Sequence, residues 1–281
     1  MPSRAITEEP LQFGQGGRLF GILSEPAEEK VDGATRPAFV FLSAGLLHRP
    51  GPSRLHVLLA RGLAAMGFAS LRVDLSGKGD SPARDSMTNR ESVAMDFADI
   101  CTTLEGRYGS RSMVLAGLCS GADNAVRLCE TEPGVVGLLL FDPICIPDEG
   151  FKRRAFASKY TNAHRYLALM NRLFRTSGES TSGRLNDTKN DPLMLRDLPT
   201  IEQMRRSFEL VGERGGAVLS IFTQYALGYY NAPGQLETVL QMDNYRKFCL
   251  ERFWPDVEHT YKLEIHRERL FEEVMAWARN F

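Results

Sequence analysis

A chain of 281 residues with 43% apolar and 25% charged side chains can bury the core of one large α/β domain, with or without an inserted subdomain. Its formal net charge is −1, with acidic and basic residues interspersed, so there is no electrostatic case for nucleic acid or an anionic membrane surface as partner. No apolar run reaches membrane-spanning length, no apolar leader follows Met1, and the five cysteines are scattered without metal-ligand spacing. The expectation is a cytoplasmic protein with no membrane span, no metal and no cofactor, whose thiols stay reduced.

In chain order, residues 11–26 read as an opening β-hairpin around a Gly-rich turn. Residues 37–42 form a continuous apolar run, as expected of a strand buried on both faces of a parallel sheet. A loop carrying Gly45, Leu46 and His48 follows. Ser53 is then the expected cap of a helix over 54–66, whose Leu55, Leu58, Leu59 and Leu63 share one face. Residues 68–73 are the next strand. The run from Asp74 to Ser81 is rich in glycine, but it lacks the spacing and terminal Lys-Ser/Thr of a phosphate loop and reads as a turn at the sheet's carboxyl edge. Thr88 or Asn89 starts a long helix to about residue 108.

Next comes a short apolar strand, 112–117, running into Gly117-Leu118-Cys119-Ser120-Gly121-Ala122 and a helix over 120–130. A nucleophile held on a strand–turn–helix elbow needs nearly side-chain-free neighbours two residues away on each side. With Cys119 at the apex those neighbours are Gly117 and Gly121. With Ser120 there, Leu118 would stand where a small residue is required, so the pattern selects Cys119. Residues 135–141 are the most continuous apolar strand and end at Asp142-Pro143. From 144 to 215 the strand rhythm stops, and a segment of that length predicts an inserted helical cap. Strands over 217–223 and 250–254, a helix over 235–249 and a closing helix over 267–281 complete the alternation, which implies a mainly parallel sheet. The expected organisation is a core of 1–143 and 216–281 interrupted by a cap of 144–215.

A thiol nucleophile needs a base at the same sheet edge. Of the five histidines, His56 falls inside a helix, His164 inside the cap and His266 on the closing helix, while His48 sits in an early loop. His259 lies between the last strand and the last helix, where a nucleophile-first hydrolase carries its base. The acid is harder to place. The stretch after the 217–223 strand, Gln224 to Asn231, holds no carboxylate, which leaves Asp142 as the first candidate, with Asp256 and Glu258 as local alternatives. The expected oxyanion donors are the backbone N–H of Ser120 and one N–H of the Gly45–Leu46 loop, taken as Leu46; Gly45 and His48 are candidate substrate-loop residues.

Three stretches, Ala44 to Arg49, Arg72 to Ser81 and Gly117 to Ala122, make the chain resemble the α/β-hydrolases over nearly its whole length. Within them it is similar to the bacterial exosortase-A-system-associated hydrolases. Cysteine at the elbow also resembles dienelactone hydrolases, polyhydroxyalkanoate synthases and the aminoacyl shuttles of nonribosomal peptide pathways. The resemblance implies an eight-stranded, mainly parallel sheet flanked by helices, and a triad carried by Cys119 and His259. It departs from the pattern in having no acid after the 217–223 strand.

Thiolate exchanges acyl groups readily with thioesters but is expelled when it attacks an unactivated amide, so activated acyl substrates are expected, free or carried on CoA or a carrier protein. The first reading is a thioesterase working through acyl-Cys119. The second is an acyltransferase or acyl shuttle passing the group to an amine, alcohol or carrier thiol, and the third is a non-catalytic hydrolase-like binding protein.

Overall fold

The computed structural model describes residues 5–27, 36–161 and 197–281, with side chains described for all of these but 157–161. Eight strands form one sheet: β1 (Ile6–Phe13), β2 (Leu19–Pro26), β3 (Ala38–Leu42), β4 (Ser70–Asp74), β5 (Met113–Leu118), β6 (Val135–Phe141), β7 (Ala217–Thr223) and β8 (Cys249–Trp254). Their order is β1-β2-β4-β3-β5-β6-β7-β8. β2 runs antiparallel to both of its neighbours, β1 and β4; all pairs from β4 to β8 are parallel. Every residue of β3, β4, β5 and β7 is buried; β3 and β5 accordingly read as unbroken apolar runs rather than alternating ones, while β4 also buries Ser70, Arg72 and Asp74, and β7 buries Ser220 and Thr223.

Helices cover both faces. α1 (Leu55–Ala65) and the closing helix, α8 (Glu264–Trp277), pack together on one side, burying Leu59, Leu63, Leu270, Val274 and Trp277 against Phe39 and Leu139. α2 (Asn89–Tyr108), α3 (Ser120–Thr131) and α5 (Ile201–Glu213) cover the other, with Phe97, Val126 and Phe208 in the core. α6 (Gln235–Leu240) and α7 (Tyr245–Phe248) are short, and α4 (Phe151–Thr161) is tied to the turn after β7, the Asn231 side-chain amide donating to the Phe151 carbonyl oxygen at 3.0 Å. Thr88 caps α2 through a full capping box with Glu91.

Three expectations change. Ser53 does not cap α1: Ser53 and Arg54 both have positive φ, 49° and 60°, and Pro52 to Arg54 form a separate 3-10 turn. The 235–249 helix is two short helices, because Gln241 adopts the left-handed conformation at φ 51° and Cys249 already belongs to β8. Of the expected 144–215 cap, α5 is a core helix packed on α3; Ser207 even donates to the Val126 carbonyl oxygen at 2.7 Å. Residues 162–196, with His164, lie outside the described residues.

His56 is buried on α1 against the Phe41 ring at 5.3 Å. Burial pushes its pKa down to about 4. The unfolded chain therefore takes up a proton between roughly pH 6.5 and pH 4 that the folded chain refuses, and stability falls as pH drops through that window. His56→Leu is expected to flatten this acid-side loss, worth at most about 3 kcal/mol. Urea midpoints at neutral pH and near pH 4, compared with wild type, measure it.

Candidate active site

The order of strands in the sheet decides which loops meet. The chain leaves β3 toward β4 on one side and returns through β5 on the other, so the loops after β3 and β5 flank the crevice where open α/β sheets bind ligands. Next to β5 come β6, β7 and β8, whose carboxyl ends carry Asp142, Thr223 and the loop with His259.

Cys119 stands at the tip of β5 with φ 55° and ψ −119°, a conformation that non-glycine residues rarely hold. What enforces it is contact: a Cβ on Gly117 would collide with the backbone of Gly121, and one on Gly121 would lie 2.7 Å from the Leu42 carbonyl oxygen. The Cys119 N–H donates to the Phe141 carbonyl oxygen at 2.8 Å, and its own carbonyl accepts the Asp123 N–H at 3.1 Å, starting α3. The thiol is half-buried at the positive end of that helix. Ser120 is the first residue of α3, so its N–H has no acceptor within the helix. Its hydroxyl oxygen accepts from the Gly45 N–H at 2.8 Å and ties the β3 loop to the elbow.

Asp142 follows β6 with φ 47° and is wholly buried. Its carboxylate accepts three hydrogen bonds: Oδ1 from the Thr223 N–H and Oδ2 from the Thr223 hydroxyl, both 2.6 Å, and Oδ2 from His259 Nδ1, also 2.6 Å. His259 makes a further side-chain hydrogen bond to Cys119, for which Nε2 remains. Burial by itself would lower the imidazole's pKa. The hydrogen bonds and negative charges of Asp142 and Cys119 outweigh it and raise it to about 9, so that the ring is cationic at neutral pH. The remaining cysteines are different. Burial pushes the thiols of Cys101 and Cys145 up to about 12, that of Cys129 to about 11, and that of Cys249 higher still.

Asp142, His259 and Cys119 are thus brought together. The alternative acids are engaged elsewhere: Asp256 pairs with Arg269 at 3.3 Å, and Glu258 accepts from the Thr260 hydroxyl and the Lys262 N–H. Leu46 is 92% exposed, and among the described residues its N–H has no acceptor. His48 is exposed on the same loop. The sequence reading missed what anchors that loop. Asp74 at the end of β4 accepts the Arg49 N–H at 2.5 Å together with its guanidinium, and Lys78 reaches the Ser43 carbonyl oxygen at 3.2 Å. The 74–81 run therefore braces the β3 loop, and its charged residues were the available signal.

A strained elbow at the tip of a central parallel strand, with a histidine after the last strand beside it, places the protein among the α/β-hydrolases. The sequence matches the family model for serine aminopeptidase, S33 (Hydrolase_4), over residues 48–213, more than half its length, and the chain belongs to that family. Among solved structures it is similar to an esterase from Pyrococcus furiosus, with 11% identity and a TM-score of 0.57 over 99% of this chain and 91% of that one. It is also similar to dienelactone hydrolase from Anabaena variabilis, with 12% identity, TM-score 0.54 and 98% of each chain covered. The thioesterase domain from the curacin biosynthetic pathway is a third, with 14% identity, TM-score 0.53, and 97% and 99% covered. No curated protein matches the sequence. Family membership supports hydrolase activity; where the family's description names serine, the apex of this elbow carries Cys119. Among the described residues no helix is long and apolar enough to cross a membrane.

Proposed function

We propose that the protein is a cysteine-dependent acyl hydrolase, a thioesterase in the first instance, that forms an acyl-Cys119 intermediate. The observation that supports it most directly is the relay of hydrogen bonds from Asp142 through His259 to the thiol at the elbow. An imidazolium beside the thiol, at a helix N-terminus, holds Cys119 as thiolate. The thiolate attacks the acyl carbonyl, and the oxyanion takes hydrogen bonds from the Ser120 and Leu46 N–H groups. When the tetrahedral intermediate collapses, the C–S bond to the leaving group breaks and the His259 proton passes to the departing thiolate. Acylation removes the negative charge from Cys119, so the imidazole's pKa falls and the neutral ring can take a proton from water. Attack of that water on the acyl-enzyme releases the carboxylic acid and restores the thiolate–imidazolium pair. Asp142 fixes the tautomer throughout.

The narrower likeness to the exosortase-A-system-associated hydrolases rests on the three motif stretches and agrees with a thiol elbow. An activated thiolate points to a reducing compartment. Intact-protein mass after brief exposure to a panel of acyl thioesters tests the chemistry: a single acyl adduct is expected in wild type and Ser120→Ala and none in Cys119→Ala. Decay of the adduct in water marks a hydrolase, whereas decay only on addition of an amine, alcohol or thiol marks an acyl shuttle. No adduct and no turnover across thioesters, esters and lactones would overturn the catalytic reading.

A further inference from the structure

At the carboxyl end of β7, where the acid was first sought, stand Thr223, Gln224 and Tyr225. Each touches the acid–base pair or its loop. Thr223 donates to both carboxylate oxygens of Asp142, as described above, and its hydroxyl oxygen accepts the Tyr225 N–H at 3.3 Å. The Gln224 N–H donates to the Val257 carbonyl oxygen at 2.8 Å, joining this turn to the His259 loop. The Tyr225 ring lies over the His259 imidazole with centroids 4.1 Å apart and planes inclined by 22°. The geometry points to Thr223 and Tyr225 as positioning residues, which hold Asp142 and His259 from the strand that carries no acid of its own. This role rests on Cys119 being the nucleophile.

The physical content is twofold. Asp142 Oδ2 accepts from both Thr223 and His259, so the hydroxyl fixes the carboxylate's rotation and leaves one direction for the imidazole. A stacked phenol face both blocks rotation of the imidazole ring and attracts its cationic form through the ring quadrupole. The charged groups facing His259 are Asp142 from the end of β6 and Cys119 from the elbow. Tyr261, buried near Asp142, stays neutral because burial pushes its phenol far up. Glu258 is turned to Thr260 and Lys262. Removing the Tyr225 ring therefore leaves the two anions in place.

Iodoacetamide alkylation of Cys119, read by intact mass as a function of pH, reports the ion pair without any substrate, because the other four thiols are buried and hard to ionise. Two inflections are expected: one where the thiolate forms and one, near 9, where the imidazolium loses its proton. Tyr225→Leu is expected to move the upper inflection down by about 0.5 to 1 pH unit and the lower one up, while Tyr225→Phe keeps the wild-type profile. Thr223→Val is expected to narrow the window in the same sense, and Thr223→Ser to restore it. Folded Tyr225→Leu and Thr223→Val proteins with wild-type inflections would overturn the positioning role while leaving Cys119 as the nucleophile. Label uptake undiminished in Cys119→Ala would overturn the nucleophile and this role together.

Discussion

Cys119→Ala is expected to lower kcat/KM for an activated acyl thioester by about 10⁴-fold or more, the loss that accompanies removal of a catalytic nucleophile. Cys119→Ser is the more informative change. A hydroxyl does not ionise beside the imidazole, so the Ser variant lacks the anion that helps hold His259 cationic. Its imidazole pKa falls, and turnover then depends on the neutral ring acting as general base, which the wild-type thiolate does not need for the first step. The Ser variant is expected to lose on the order of 10²- to 10³-fold at neutral pH, with a rate that climbs from neutral pH toward about pH 9, below the wild-type imidazolium's inflection, where wild type is flat. Single-turnover acylation followed across pH separates the two, and a Ser variant as fast as wild type with the same profile would mean that the site works as an ordinary serine hydrolase.

The fold was legible where burial left no choice. β6 is an apolar run throughout and β7 is one but for Ser220 and Thr223, so their bounds follow from composition, and Val135–Phe141 and Ala217–Thr223 match the expected segments. Where backbone conformation is set by packing, sequence misled. Ser53 is a good capping residue type, yet two successive residues with positive φ precede α1. The stretch from Gln235 has helix-forming composition, yet Gln241 turns left-handed and the chain peels away into β8.

The elbow was legible for a steric reason: two glycines bracket one nucleophile, and a Cβ on either would strike the backbone of Gly121 or of Leu42. The rest of the site depends on strand order, which a one-dimensional reading does not contain. Asp142 before Pro143 is equally a turn signal; only the adjacency of β6, β7 and β8 brings it to His259. Thr223 and Tyr225 gave no signal as positioning residues because neither carries the carboxylate or imidazole by which an acid or base is recognised in a sequence.

Asp142→Asn tests that adjacency most severely. The carboxylate accepts from two donors of Thr223 and from Nδ1 of His259. An amide offers one acceptor oxygen and one NH₂ group. With its oxygen toward the Thr223 N–H, the NH₂ faces Nδ1 and selects the wrong imidazole tautomer; turned over, it opposes the backbone N–H and leaves that buried donor unpaired. Either arrangement costs about 1–3 kcal/mol of stability. The catalytic loss is expected at about 10²- to 10⁴-fold, the lower end if a thiol needs less activation than a hydroxyl. The pH dependence supplies an independent readout. Because the folded pKa of His259 is raised to about 9 above its ordinary 6.5, the stability it contributes is fully present below about pH 6.5 and is lost as pH rises through 9. Without the Asp142 charge the folded pKa drops, so the alkaline loss of stability seen in wild type should flatten in Asp142→Asn. Urea midpoints at pH 6 and pH 9.5 for the two proteins decide it: equal alkaline losses would mean that Asp142 does not hold the histidine's charge, and the orienting role assigned to it would fall.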